Sequence, residues 1–241
     1  MRVGFISDIH GNLPALQAVL ADLDRRHCDR LICLGDICFG PQAPECLELV
    51  RALGCPVILG NWDSWSIDGF PPADDPVGIT LHEIGEWWAE QLTDDHREFV
   101  HTFRPTLELE LPGNRRMLCF HGSPHSFSDF IFATTPDEEI EHLFDGYEDA
   151  VLVGGHTHLQ MLRRFGSSVI VNPGSVGQPF SQWWPREIRV GRWAEYGIIE
   201  AVDGLLDVEL RRVQFDADAL LQLLSSSAMP HRRWWIDSYG G

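Results

Sequence analysis

Five short stretches of this chain carry side chains that bind transition metals: Asp8-Ile9-His10, Gly35-Asp36, Gly60-Asn61-Trp62-Asp63, His121-Gly122 and Gly155-His156-Thr157-His158. Taken singly each is weak evidence, because an Asp-x-His or an isolated histidine is usually incidental. The signal is the ordered set, with each stretch following a short apolar run. Four histidines, aspartates and an asparagine make a mixed hard and borderline ligand shell. Such a shell suits Mn²⁺, Fe, Zn²⁺ or Ni²⁺ better than Mg²⁺ or Ca²⁺, which prefer oxygen-only coordination. Two such ions, about 3.5–4 Å apart, can clamp a phosphoryl group and supply a hydroxide near neutral pH.

The apolar runs are the elements that must position these groups. Arg2–Ser7, Leu31–Leu34 and Val57–Leu59 read as buried strands that end at Asp8, Asp36 and Asn61. Leu13, Leu16, Leu20 and Leu23 recur at helical spacing, so a helix is predicted from about Leu13 to Arg26, and a shorter one from Ala43 to Leu53. This β-α-β-α-β order predicts parallel strands, and in such sheets ligands bind beyond the carboxyl ends of the strands. Ser64–Asp75, rich in Pro, Gly and Asp, reads as a loop. Two helices, Ile79–Leu92 and Thr93–Phe103, form an expected insert at about 76–104 that acts as a packing layer or a cap. Strands are expected at 107–111, 117–120, 151–153, 160–165 and 169–171, the second and third ending at His121 and His156. Asp203-Gly204 joins two further strands, 196–202 and 206–215, as a hairpin. The second half then forms another sheet with antiparallel pairing, and the whole chain, 1–241, is expected to be one domain of two packed sheets flanked by helices.

Composition narrows the function. Asp and Glu outnumber Arg 36 to 18, for a formal charge of -18, which opposes binding to long nucleic acids. The chain has no lysine, so a phosphate-loop Lys, a Schiff-base Lys and a Ser-Lys dyad are excluded. Six cysteines without a Cys-x-x-Cys pair read as buried free thiols in a reducing compartment. No signal-peptide pattern or membrane-length apolar run is present, so a cytoplasmic protein without membrane partners is expected.

In order and spacing the five stretches resemble the signature of the calcineurin-like metallophosphoesterases, and Asn172-Pro173-Gly174-Ser175-Val176-Gly177-Gln178-Pro179 resembles a later stretch of their compact bacterial and archaeal members, related to diadenosine tetraphosphatases and Ser/Thr phosphatases. The resemblance spans about Met1 to Phe215. It implies an α/β/β/α sandwich of two mixed sheets and a site holding two divalent transition-metal ions. Asp8, His10 and His158 would hold the first, Asn61, His121 and His156 the second, and Asp36 would bridge them. It also implies hydrolysis by a metal-bound hydroxide without a covalent intermediate, with His10, Asp36 and Asn61 in the catalytic shell.

Where many members carry a proton-donating His after the Asn ligand, this chain has Trp62. General acid assistance is worth about 10²–10⁴-fold in rate, so the expected substrate has a good leaving group: a phosphodiester or phosphoanhydride of a small molecule such as a nucleotide. Asp63, His125 or a metal-bound water would assist the leaving group, and Trp62 would stack on a base or aryl group or pack against Trp65 or the insert. Asn12 would bind a phosphate oxygen or cap the helix that follows it. Arg186, Arg189 or Arg192 would take the place of an Arg that relatives carry near Phe180, and Trp183 and Trp184 would form a substrate wall, a subunit contact or plain core. The competing readings are a phosphoprotein phosphatase and a non-catalytic scaffold, as the same fold serves in the retromer coat. The completeness of the seven ligands favours an enzyme.

Overall fold

The computed structural model describes residues 1–182 and 187–239. Trp183, Trp184 and Arg186 lie outside the described residues. Two large mixed sheets pack face to face with helices on their outer sides. The first sheet contains β1 (Arg2–Ile6), β2 (Arg30–Cys33), β10 (Trp193–Val202) and β11 (Leu205–Gln214), in the order β11-β10-β1-β2. The second contains β3 (Leu107–Leu111), β4 (Arg115–Cys119), β5 (Val151–Val153), β6 (Met161–Phe165) and β7 (Ser168–Asn172), in the order β3-β4-β5-β7-β6. A small ribbon pairs β8 (Phe180–Gln182) with β9 (Arg189–Val190).

Strand alternation explains the layering. Met117 and Cys119 point into the space between the sheets, where they meet Val3, Phe5, Ile32 and Ile199. Leu118 and Phe120, one residue out of phase, cover the opposite face with Ile140 and Phe144 beside α6 (Asp137–Leu143). The outer face of the first sheet is covered by α1 (Leu13–Asp24), α2 (Ala43–Leu53) and α5 (Asp94–Val100), whose Leu16, Val19, Leu47 and Val100 bury against Ile6, Cys33 and Tyr196. A fourth cluster joins α4 (Pro76–Ala89), α7 (Ala217–Ser226) and α8 (Arg232–Ser238) through Ile84, Trp88, Leu220 and Trp235. No described helix is long and apolar enough to cross a membrane.

Three expectations change. The hairpin β10–β11 does not belong to the second sheet: β10 pairs antiparallel with β1, in the register Arg2↔Glu200 to Phe5↔Gly197. The second sheet is mixed, as the resemblance implied, but β4, β5 and β7 run parallel where the strand pattern suggested antiparallel pairing. The run Val57–Leu59 is reduced to single bridges, Cys33↔Val57 and Ile58↔Arg104, because the chain turns at once into a helix, α3 (Asn61–Asp68), where a loop from Ser64 was expected. The insert is divided in its role. Leu92 and Val100, at its second helix, pack under the first sheet, while α4 forms one wall of a cavity described below.

Candidate metal centre

The parallel strands of both sheets end at one edge, and the seven candidate ligands sit in the turns just beyond them. Asp8 and His10 follow β1, Asp36 follows β2, His121 follows β4, and His156 and His158 follow β5. Asn61 opens α3, with Gly60 as its N-cap. Five of these residues hold a left-handed backbone: Asp8 (φ 53°), His10 (46°), Asp36 (55°), His156 (67°) and His158 (57°). Such conformations cost non-glycine residues free energy and persist where the surroundings over-determine them, typically at functional sites. Two glycines make the close approach possible. A Cβ on Gly60 would lie 2.2 Å from Asp36 Oδ1, and one on Gly155 would lie 2.1 Å from Ser7 Oγ.

Four of the candidate ligands are aimed by a partner on their far side. Ser7 Oγ (2.5 Å) and the backbone N–H of His156 (3.1 Å) both donate to Asp8 Oδ2, leaving Oδ1 free to face the centre. His121 Nδ1 bonds Leu34 O at 2.6 Å and His158 Nδ1 bonds Gln178 O at 2.8 Å, which directs each Nε2 inward. The Trp62 N–H donates to Asp36 Oδ1 at 2.9 Å. Outer hydrogen bonds of this kind orient ligands in metal sites generally. The 172–178 segment braces the assembly: Asn172 Nδ2 donates to Gly155 O (2.6 Å) and Ser175 Oγ to Asp8 O (2.7 Å). These bracing roles of Ser7, Asn172, Ser175 and Gln178 were not read from the sequence, where nothing in their types distinguishes a brace from a turn residue.

The donor atoms gather into two groups that share Asp36. Asp8, His10, Asp36 and His158 form one and Asp36, His121 and His156 the other, with the ligand atoms of each group within 4.8 Å of one another. The side-chain amide of Asn61 adjoins the second group, one of its terminal atoms lying 2.9 Å from His156 Nδ1, 3.2 Å from His121 Nε2 and 3.3 Å from Asp36 Oδ2. His10 Nε2 and His158 Nε2 face each other at 2.9 Å. Asp8 Oδ1 is buried without a hydrogen-bond partner. A buried polar atom left unpaired is costly, and converging acceptors are reconciled by a cation between them. The residues present therefore fit divalent metal.

The charges agree with that fit. Burial, followed by repulsion from His158, holds His10 well below the usual imidazole range. Burial and then His121 push His156 down to about 3, so both rings are neutral and available as ligands. Burial opposes the charge on Asp8, but His158, His121 and His10 outweigh it and hold the carboxyl well below its ordinary value. Asp36 is raised to about 6, chiefly by burial and further by Asp8 and Asp63, against the pull of His121. His121 is pushed up to about 10, because Asp36 at 3.2 Å and Asp8 outweigh the cost of burial. Bound cations would replace the proton that this pair holds.

The calcineurin-like phosphoesterase superfamily domain matches residues 1–188. The chain belongs to that superfamily. This calcineurin-like phosphoesterase is a metal-dependent phosphoric ester hydrolase. It is 27% identical over 251 residues to the uncharacterized protein MJ0912 of Methanocaldococcus jannaschii, covering 95% of this chain and 93% of the relative. It is 28% identical over 212 residues to phosphodiesterase YfcE of Escherichia coli, covering 83% of this chain and 88% of that protein. Among solved structures, a metallophosphoesterase from Sphaerobacter thermophilus superimposes with a TM-score of 0.76 at 25% identity, over 99% of this chain and 98% of that one.

The phosphoesterase brings together Asp8, His10, Asp36, Asn61, His121, His156 and His158, but not the other expected site residues. Asp63 is fully buried, and its carboxylate accepts the backbone N–H groups of Asp36 (2.8 Å), Ile37 (2.8 Å), Cys38 (3.0 Å) and Gly60 (3.2 Å). It clamps the turn that carries Asp36, with both oxygens engaged by backbone and neither in the cavity lining, which corrects its expected catalytic role. Asn12 is a helix cap: Oδ1 accepts from Ala15 N at 3.1 Å and Nδ2 donates to Gly177 O at 3.0 Å, and the side chain is buried outside the cavity lining. His125 is exposed and is not part of the cavity lining. Arg192 pairs with Asp218 at 2.9 Å on the surface, outside the cavity. Trp62 does line the cavity, its ring stacked on Phe39 with centroids 3.8 Å apart.

Proposed function

We propose that the chain is a binuclear metal-dependent phosphodiesterase of small molecules, with phosphoanhydrides such as those of nucleotides as its second substrate class. The observation that carries this reading is the pair of ligand groups hinged on Asp36. One carboxylate common to both groups is the arrangement that holds two ions at the short separation a phosphoryl clamp requires. Asp8, His10 and His158 would hold one ion and Asn61, His121 and His156 the other. Such ions, when bound, neutralise charge on the phosphoryl oxygens and make water a competent nucleophile near neutral pH.

The protein's own residues do the positioning. Leu34 O and Gln178 O hold His121 and His158 in the tautomer that presents Nε2. The Trp62 N–H holds one oxygen of Asp36, leaving the other for the centre. The Trp62 side chain is committed to Phe39 and has no proton for a departing alkoxide. This supports substrates whose leaving group needs little protonation. The acidic balance, a formal charge of -18, supports small substrates over long nucleic acids. The six cysteines are unpaired, which supports a reducing, cytoplasmic setting. The metals proposed are Mn²⁺, Fe, Zn²⁺ or Ni²⁺, by the mixed ligand set.

The test is metal analysis combined with turnover of bis(p-nitrophenyl) phosphate. Two equivalents of metal and hydrolysis by the wild type are expected. Asp36→Asn should lose at least one equivalent and about a hundredfold or more in kcat/KM. One metal per chain in an active wild type rejects the binuclear reading, and no turnover with any of the four metals rejects the enzyme.

A further inference from the structure

The metal centre lies at one end of a cavity of about 750 Å³ with Asp36, Asn61, His156 and His158 in its wall. This volume falls in the range of pockets that enclose a whole small ligand. The surface leading away from the ligands is aromatic. Phe180 stacks on the His158 ring with centroids 4.6 Å apart and planes 16° apart, and Phe130 lies 4.4 Å from the His156 ring. Trp62 continues this collar, and Trp234 and Trp235 of α8 with Leu81 of α4 form the outer walls. The carboxylates in the lining other than the metal ligand Asp36 are Glu187 and Asp237, and among the described lining residues there is no arginine. Among the described lining residues, fixed positive charge would therefore reach a substrate from the metal ions alone. An ester carrying further phosphates would place them against apolar surface and two acids, without the counter-charge that buried anions require.

Building on the phosphodiesterase reading, we infer that the substrate is a phosphodiester with a single negative charge whose second ester group is planar and aromatic, seated between the collar and the α4–α8 walls. Flat rings gain most from such surroundings, because offset stacking and edge contacts add to their area burial. Gln178 and Ser238 also line the cavity and offer hydrogen bonds at its margin, so an aryl group and a nucleobase share this chemistry. Dinucleoside polyphosphates do not.

Two measurements test the inference. In the first, methyl and 1-naphthyl esters of methylphosphonate are titrated calorimetrically into protein stripped of metal, which does not turn them over. The naphthyl ester is expected to bind at least about tenfold more tightly. In the second, p-nitrophenol is kept as the common leaving group while the other ester is methyl, 1-naphthyl or 5′-thymidyl. A rise of at least about tenfold in kcat/KM from methyl to either ring system supports the inference, and the stronger arm says whether the ring is a hydrocarbon or a base. Trp234→Ala and Leu81→Arg should each bring the naphthyl-to-methyl ratio toward one. Trp234 is 43% exposed, so its replacement leaves the fold intact. Equal binding of methyl and naphthyl esters overturns the inference, as does faster cleavage of diadenosine tetraphosphate than of the aryl diesters. Tight naphthyl binding without any hydrolysis rejects the phosphodiesterase reading and leaves the aromatic site standing.

Discussion

Asp63 and Trp62, adjacent in the chain, do opposite things to Asp36. The Asp63 carboxylate collects four backbone N–H groups and sets the turn that carries Asp36, while the backbone of Trp62 holds one oxygen of Asp36 itself. Removing the clamp leaves several buried donors unpaired. Asp63→Ala is therefore expected to lower stability by about 3–5 kcal/mol in urea unfolding, and Asp63→Asn, which turns an NH₂ toward N–H groups, by about 2–3 kcal/mol. A loss of activity with unchanged stability in either variant would return Asp63 to the catalytic list. Trp62→His supplies the missing donor. It is expected to flatten the dependence of kcat on leaving-group pKa, raising turnover of alkyl esters by about tenfold or more while changing p-nitrophenyl esters little. An unchanged slope would show that proton donation comes from elsewhere.

At the scale of elements, the turns after the parallel strands carry the site, and their backbones are the constraint. Asp36 is reached across Gly60, the N-cap of α3, with so little room that an added Cβ would fall 2.2 Å from its carboxylate. Gly60→Ala is expected to displace Asp36 and reduce metal content and kcat/KM by about a hundredfold or more, while circular dichroism stays native. Full activity in that variant would mean that α3 can shift without cost to the centre. α1 was legible from leucine spacing and its candidate cap Asn12, because one amphipathic face packs on one sheet. α3 was not, because its residues are Asn-Trp-Asp-Ser-Trp-Ser-Ile-Asp and no apolar stripe announces it. Its helix is held by the Asp63 clamp and by Arg97, which donates to Ser66 O at 2.7 Å and Ala89 O at 2.6 Å.

For the molecule as a whole, bound metal and one buried carboxylate far from it contribute stability in separate regions. Ions that bind the folded chain and not the unfolded one stabilise it by about 2.7 kcal/mol at a hundred times Kd, so Mn²⁺ or Zn²⁺ should raise Tm in the wild type and much less in Asp36→Asn. Equal shifts in both would place the stabilising metal elsewhere. Far from the centre, Asp22 lies under β10 and β11, where Tyr196 Oη donates to it at 2.5 Å and Arg211 Nε at 3.2 Å. Burial opposes its charge, yet bonds from Tyr196, Arg25 and Arg211 outweigh it and hold the carboxyl at about 2, below its ordinary 3.8. A depressed folded-state pKa contributes stability above the unfolded value and loses it as pH falls through the folded one. Asp22 thus contributes about 2 kcal/mol above pH 4, lost as the pH drops to 2. Asp22→Asn should be destabilised by about that amount at neutral pH and differ little from wild type near pH 2. A gap that does not change with pH would contradict the assignment.

The sequence by itself determined the ligand types, their order, and their places at the ends of apolar runs. Those are local properties, since a buried strand and the polar residue that ends it are neighbours in the chain. That was enough to single out Asp8, Asp36, Asn61 and the four histidines, which the fold brings together. Tertiary structure alone decided what depends on distant partners. Asn12 was claimed by Gly177, 165 residues away, and Arg192 by Asp218. β10 and β11 joined the first sheet because β1 had an open edge beside it. The left-handed backbone at five ligands and the aromatic collar above them exist only where separate loops converge, and no spacing along one segment encodes that convergence.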